Sequence, residues 1–250
     1  MAMFGERSWS VNAFGAGIDQ RRSACGAQIA WPSPDDHGSC CSIHRIRESK
    51  IVACLRAHSS KLALDAARAA LDGGLDVLEV TMTTPGASKV IATLVHEYPS
   101  ALIGAGTVLS LDQAEEAKAS GATFLLSPIT VKELVEIHSF GPVLFVPGAM
   151  TPTEVYTAHS YGAHIVKIYP TDLAGGVKYV RSLRKLLAHI PMIASQGITL
   201  EMIRPYLDAG ASAVVLSDAI FDSSSLSSSC FAKITQQASV AVKEAAKNAR

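Results

Sequence analysis

From Lys50 onward, short apolar runs rich in β-branched residues alternate with Ala-rich stretches of helical length. That alternation predicts successive βα units built on a parallel sheet. Eight runs read as strands: 51–56, 77–82, 102–108, 124–128, 143–147, 165–169, 192–196 and 213–217. They are nearly continuous in apolar character, as expected where both faces of a sheet are covered. Helices are predicted between them. In 61–72, Leu62, Ala66, Ala69 and Ala70 recur at helical spacing, and in 177–189 Val177, Val180, Leu183 and Leu187 lie about one turn apart. Residues 231–249 read as a closing helix with Ile234, Ala238, Ala241 and Ala245 on one face. Lys243, Lys247 and Arg250 sit near its C-terminus, where cations suit the helix dipole. Residues 222–230 hold six Ser in nine positions and read as a loop.

A repeat underlies this pattern. Gly74, Gly121, Gly162 and Gly210 each stand between a predicted helix and a predicted strand, at intervals of 47, 41 and 48 residues. Glycine suits the left-handed position that ends a helix. The intervals are the length of two βα units, so the repeat marks strands 2, 4, 6 and 8 and favours a closed (β/α)8 TIM barrel over an open doubly wound sheet. Counting five residues from each Gly gives Glu79, Leu126, Lys167 and Val215. Side chains on alternate strands share a layer inside such a barrel, which predicts that Glu79 and Lys167 face one another across it.

Two ionisable groups inside apolar runs need a reason. A structural ion pair is the plainer one, since Lys and Glu are almost never fully buried unless paired. It is weak evidence of stabilisation, because desolvation can exceed the Coulombic gain. The chemical reading is that a desolvated lysine is a nucleophile toward carbonyls. A close carboxylate would hold Lys167 charged, so the two are expected to communicate through substrate or water, with Glu79 moving the protons that Schiff-base chemistry requires.

Composition narrows the alternatives. The 250 residues are 48% hydrophobic and 18% charged, with 22 Lys plus Arg against 22 Asp plus Glu. The zero net charge and the lack of a basic cluster argue against a nucleic-acid partner, and no apolar run is long enough to span a membrane. Five scattered Cys without a CxxC pair point to a reducing compartment. His37, Cys40, Cys41 and His44 lie close together, but adjacent cysteines lack zinc-site spacing, so no metal is expected. Residues 1–46 lack a sustained apolar period and read as an irregular N-terminal extension to a single barrel domain over 47–250. Their Arg- and Ser-rich, acid-poor start resembles a transit peptide, which implies a plastid destination, with the cytoplasm otherwise.

The motifs Leu78-Glu79-Val80-Thr81, Gly104-Ala105-Gly106-Thr107-Val108, Ser127-Pro128, Val146-Pro147-Gly148, Lys167-Ile168-Tyr169-Pro170 and Gly175-Gly176-Val177-Lys178 occur in this order between about 50 and 222. Together they resemble the 2-keto-3-deoxy-6-phosphogluconate / 4-hydroxy-2-oxoglutarate aldolases, including galactonate-type relatives. The resemblance implies a (β/α)8 barrel, usually a homotrimer, that cleaves a small 2-keto acid without metal or cofactor through a pyruvate Schiff base. It assigns Lys167 as the Schiff-base lysine, Glu79 as the general acid/base and Thr107 to the pyruvate carboxylate. Leu109 stands where a dinucleotide fingerprint needs its third Gly, so Gly104 and Gly106 are read instead as letting backbone N–H groups approach that carboxylate.

Departures from the family pattern shape the rest of the site. Thr83 replaces the Arg that gluconate-type members use for the carboxylate, and Arg56 matches the galactonate-type Arg at the end of strand 1, with a solvated surface Arg as the alternative. At the phosphate end the family's Gly-Gly and Gly-Ser become Gln196-Gly197 and Leu216-Ser217. Gly197 and Ser217 remain substrate-binding candidates, whereas the bulk of Leu216 predicts a weakened preference for phosphorylated substrates. Two other readings compete: a phosphosugar isomerase or epimerase barrel, and a catalytically inactive barrel kept for binding.

Overall fold

The computed structural model describes residues 39–247, so the transit-peptide reading of the N-terminus, His37 and the last three residues lie outside the described residues. Its strands are β1 (Ile51–Leu55), β2 (Val77–Thr81), β3 (Leu102–Gly106), β4 (Phe124–Leu126), β5 (Leu144–Val146), β6 (Gly148–Ala149), β7 (Val166–Ile168), β8 (Met192–Ser195) and β9 (Ala213–Leu216). All eight predicted runs hold strand. The ninth segment arises at Pro147, which has no N–H to give a ladder and divides the fifth strand into β5 and β6.

Every strand pair is parallel, in the order β5-β4-β3-β2-β1-β9-β8-β7-β6. The two ends of that order are consecutive pieces of one strand, so the sheet closes into the (β/α)8 barrel that the repeat predicts. Gly74, Gly121, Gly162 and Gly210 all have positive φ, between 89° and 108°, at the turns that end their helices.

Alternation along the strands separates two cores. Val52, Val77 and Ile193 point inward and pack with Leu126 and Val215 in an inner cluster. Their neighbours Ala53, Leu78 and Ala194 point outward and pack with the helices. Residue Cα partners such as Cys54 and Glu79 therefore present side chains to the same inner space.

Two expectations are corrected. The barrel begins before residue 47: a helix spans Ser39–Ser49, and its Ile43 and Ile46 are buried in the inner cluster. Ser42 Oγ donates to the Thr123 carbonyl at 3.2 Å, and Arg45 to that of Ser100 at 2.6 Å, fixing this helix to the barrel. Two isoleucines one turn apart suffice for one buried stripe but are too few to register as a sustained period. The serine tract is likewise not all loop, since Ser223–Ser227 forms a short helix. Asp222 caps it by accepting from Ser225 N at 2.9 Å and from Ser225 Oγ at 2.6 Å. The Ser224 and Ser225 hydroxyls, with Lys233 nearby, hold the Asp222 carboxyl well below the usual carboxylate range. The closing helix runs over Phe231–Ala246 with the predicted face buried.

Candidate active site

Lys167 projects from the middle of β7 into the barrel and is 6% exposed, while Glu79 projects from the middle of β2 and is 0% exposed. Lys167 Nζ lies 3.8 Å from Glu79 Oε1, within ion-pair range and beyond hydrogen-bond length. The two are thus close but not a tight contact pair, as the sequence predicts. Neither Glu79 oxygen has a hydrogen-bond partner among the described residues. Tyr169, two residues along β7's direction, places its ring centroid 5.5 Å from Lys167 Nζ. Leu126 and Val215 complete the predicted layer as members of the inner cluster.

A cavity of about 830 Å³ opens above this layer, lined by Arg56, Thr107, Lys167, Gly197 and Ser217. Four of these stand just beyond the C-terminal ends of β1, β3, β8 and β9, the face where barrels of this kind carry their chemistry. Glu79 is the one predicted site residue that does not line the cavity; it reaches it only through its neighbours, Lys167 among them. Thr107 and Gln196 hold left-handed backbone conformations, with φ of 56° and 82°. For a β-branched residue such as Thr107 this is a genuine outlier, of the kind that gathers at functional sites.

The glycines of β3 have a steric role that the sequence reading did not include. A Cβ at Gly106 would overlap Glu79 Oε2 and lie 2.8 Å from its Cδ, and one at Gly104 would lie 2.6 Å from the Phe124 ring. Their missing side chains give room to Glu79 and Phe124. A glycine between apolar residues signals close approach, but sequence alone does not say of what.

Arg56 is exposed and borders both this cavity and an adjoining hollow of about 610 Å³ that Thr83 also lines. The Thr83 hydroxyl lies 3.1 Å from that of Thr81, and Ala57 N donates to Thr84 Oγ1 at 3.2 Å, which fixes the backbone just after Arg56. Leu216, by contrast, is fully buried in the outer cluster and does not line the cavity. The steric ground for a weakened phosphate preference is therefore removed: the alternation that turns Val215 inward turns Leu216 outward.

Sequence reasoning missed Cys54, Ser195, Asp172, Asp218 and Gln237, all on the cavity wall. Cys54 was legible, since Val52, Cys54 and Arg56 share one parity along β1. Gln237 comes from the closing helix and has no local signal. Burial, with the nearby Glu79 charge second, pushes the Cys54 thiol well above its ordinary value, so it stays protonated. Glu201, also on the wall, is held below the usual carboxylate range by hydrogen bonds from its own backbone N–H and from Thr199. Among the described residues, no three of His, Cys, Asp and Glu gather where they could hold a metal ion.

A family model described as KDPG and KHG aldolase matches residues 43–237, starting at one of the two isoleucines that close the barrel floor. The chain is 33% identical over 167 residues to the 2-dehydro-3-deoxy-phosphogluconate aldolase of Treponema pallidum (strain Nichols), covering 66% of this chain and 78% of that one. It is 31% identical over 173 residues to the 2-dehydro-3-deoxy-6-phosphogalactonate aldolase of Escherichia coli (strain K12), covering 68% and 84%. Its fold matches that of a KDPG aldolase from Legionella pneumophila, whose structure holds pyruvate as a covalent carbinolamine. The TM-score is 0.71 at 26% identity, over 76% of this chain and 93% of that one.

Proposed function

The chain belongs to the KDPG and KHG aldolase family, and from that premise we propose that it is a class I aldolase with Lys167 as its Schiff-base residue and Glu79 as its general acid/base. The observation that carries this reading is the nearly buried Lys167, facing a cavity at the C-terminal ends of the strands with a fully buried carboxylate 3.8 Å from its Nζ. A neutral Lys167 Nζ attacks the C2 carbonyl of a 2-keto acid, and loss of water from the carbinolamine leaves a protonated imine. The C4 hydroxyl then gives up its proton as the C3–C4 bond breaks. The bonding electrons pass to the iminium, an aldehyde departs and an enamine remains. Protonation at C3 and hydrolysis release pyruvate and restore the lysine. Because Glu79 lies off the cavity wall and 3.8 Å from Lys167 Nζ, it exchanges protons with substrate through Lys167 or a water. Arg56 serves the substrate carboxylate as a bidentate donor, and Thr107 supports it from the end of β3, one strand further round the mouth than β2.

At the aldehyde end, Gly197, Thr199 and Ser217 line the cavity while Leu216 stays outside it. This supports a site that takes 4-hydroxy-2-keto acids with or without a terminal phosphate. Steady-state kinetics on 2-keto-3-deoxy-6-phosphogluconate and 4-hydroxy-2-oxoglutarate test this, and failure to cleave either one overturns it.

The central test is borohydride trapping with pyruvate. A covalent adduct on Lys167, absent in Lys167→Met, is expected; no adduct with folded protein sinks the aldolase reading. Leu109, Ile129, Met150 and Leu173 are exposed on loops that follow β3, β4, β6 and β7. This apolar rim supports a homotrimer, to be checked by light scattering on the purified chain. Plastid import through residues 1–46 remains a proposal from composition, testable by imaging that segment fused to a fluorescent protein.

A further inference from the structure

One polar group at the site has no part in the Schiff-base steps. Cys54 is the Cα partner of Glu79 in the β1–β2 ladder, so the two side chains enter the barrel side by side. Cys54 lines the cavity together with Lys167 and Arg56, whereas Glu79 does not. The Glu79 carboxylate is fully buried and lies over the bare Cα of Gly106; it makes no hydrogen bond of ordinary geometry among the described residues, yet the Cys54 thiol is near enough to interact with it through its proton. A buried carboxylate in that position is costly to keep charged. Lys167 offsets the charge while its nitrogen is an ammonium or iminium ion, but in the neutral carbinolamine and enamine stages of the proposed reaction it carries no charge to do so.

We propose that Cys54 is a positioning residue for the aldolase reaction, its S–H donating to the Glu79 carboxylate when Lys167 is engaged with substrate. The inference rests on the reading of Lys167 and Glu79 as the catalytic pair. Burial and the neighbouring carboxylate keep the proton on sulfur, which makes Cys54 a donor and leaves Lys167 without a rival nucleophile. The charged and titratable groups facing Glu79 are few. Lys167 comes from β7 and Cys54 from β1, with the charge of Arg56 just beyond β1 acting on Cys54, while β3 presents only glycines, Gly104 as the Cα partner of Glu79 and Gly106 against its carboxylate.

A donor to the charged form of Glu79 favours that form, so its removal makes the carboxylate easier to protonate. Cys54→Ala and Cys54→Val both delete the donor, and valine refills the space. Cys54→Ser keeps a donor. In kcat against pH, the acid limb is expected to move up by about half a unit to one unit in the alanine and valine variants, and to return toward the original in the serine variant. Borohydride trapping of pyruvate on Lys167 should persist in all three. An unmoved limb in the alanine and valine variants, with trapping intact, overturns the proposal. So does a shift in alanine that valine cancels, since that result belongs to packing or admitted water. Absence of trapping in the unaltered chain is a different failure, that of the aldolase reading itself.

Discussion

Gly106 separates two accounts of the site. If its role is to bring a backbone N–H to the substrate carboxylate, Gly106→Ala weakens binding and raises KM. The structure gives another role, because the alanine methyl would enter the space that Glu79 occupies. It would lie 2.8 Å from Cδ and closer still to Oε2, against the 3.4 Å at which ordinary contact begins. The carboxylate must retreat by roughly 1 Å, and a displacement of that size at a reacting group costs about 10²-fold in rate. The fold bears the change more easily than the chemistry does, since the clash falls on the far end of a side chain and overpacking of this kind costs about 1–3 kcal/mol. The expected result is a kcat lowered about 100-fold with KM little changed, a modest fall in Tm, and continued trapping of pyruvate on Lys167. The assays are steady-state kinetics, thermal unfolding and borohydride trapping on the same preparation. A raised KM with unchanged kcat would refute the reasoning and restore the carboxylate-binding role of the glycine.

Three further outcomes are expected. Arg56→Ala removes a charge-assisted donor from the mouth of the cavity and should lower kcat/KM by about 10- to 100-fold, chiefly through KM; a KM within twofold of the unaltered chain would place the carboxylate elsewhere. Ile46→Ala leaves a hole beneath the inner cluster and should cost about 3 kcal/mol in urea denaturation, with the m-value unchanged; no change would mean that the helix Ser39–Ser49 does not close the barrel floor. Asp222→Ala loses the cap of Ser223–Ser227 and should cost about 1 kcal/mol at pH 7. Because the folded carboxyl is depressed, that contribution is complete above the unfolded value near 4 and is lost as pH falls below it, so the difference between the two chains should shrink by pH 3.

Much of the fold was legible because a barrel strand covered on both faces is a short apolar run, and because four glycines with positive φ punctuate alternate units. The same repeat put Glu79 and Lys167 in one layer with no reference to family. What was hidden was short or remote. The helix Ser39–Ser49 contributes one turn of buried isoleucines, too little for a period to emerge. Gln237 reaches the cavity wall from the closing helix, a proximity only tertiary packing creates. Leu216 was misjudged for another reason: its side chain was weighed by size before its side of the sheet was assigned. Applying the two-residue alternation to β9 places Val215 and Ser217 inward and Leu216 outward, and applied to β1 it places Cys54 beside Arg56.

That alternation also explains how the barrel divides its tasks by depth. The floor is apolar, made of residues such as Val52 and Val77 with Ile43 and Ile46 beneath them. One step up, Cys54, Glu79 and Lys167 lie among Leu126 and Val215, where charge is expensive and each ionisable group depends on its neighbour. At the rim, Arg56, Thr107, Gly197 and Ser217 meet solvent and can bind an anion without burying an unpaired charge. Lys167 is the one member of the catalytic pair with access to both the buried layer and the cavity. In the proposed reaction, substrate entering from the rim therefore meets the lysine first, while Glu79 is shielded from bulk water. A carboxylate on the cavity wall would be hydrated and bound tightly by the ammonium ion. Held in the layer of Lys167 but off the cavity wall and 3.8 Å away, it is placed, in the proposed reaction, to take the proton that frees the amine and to return it later in the cycle.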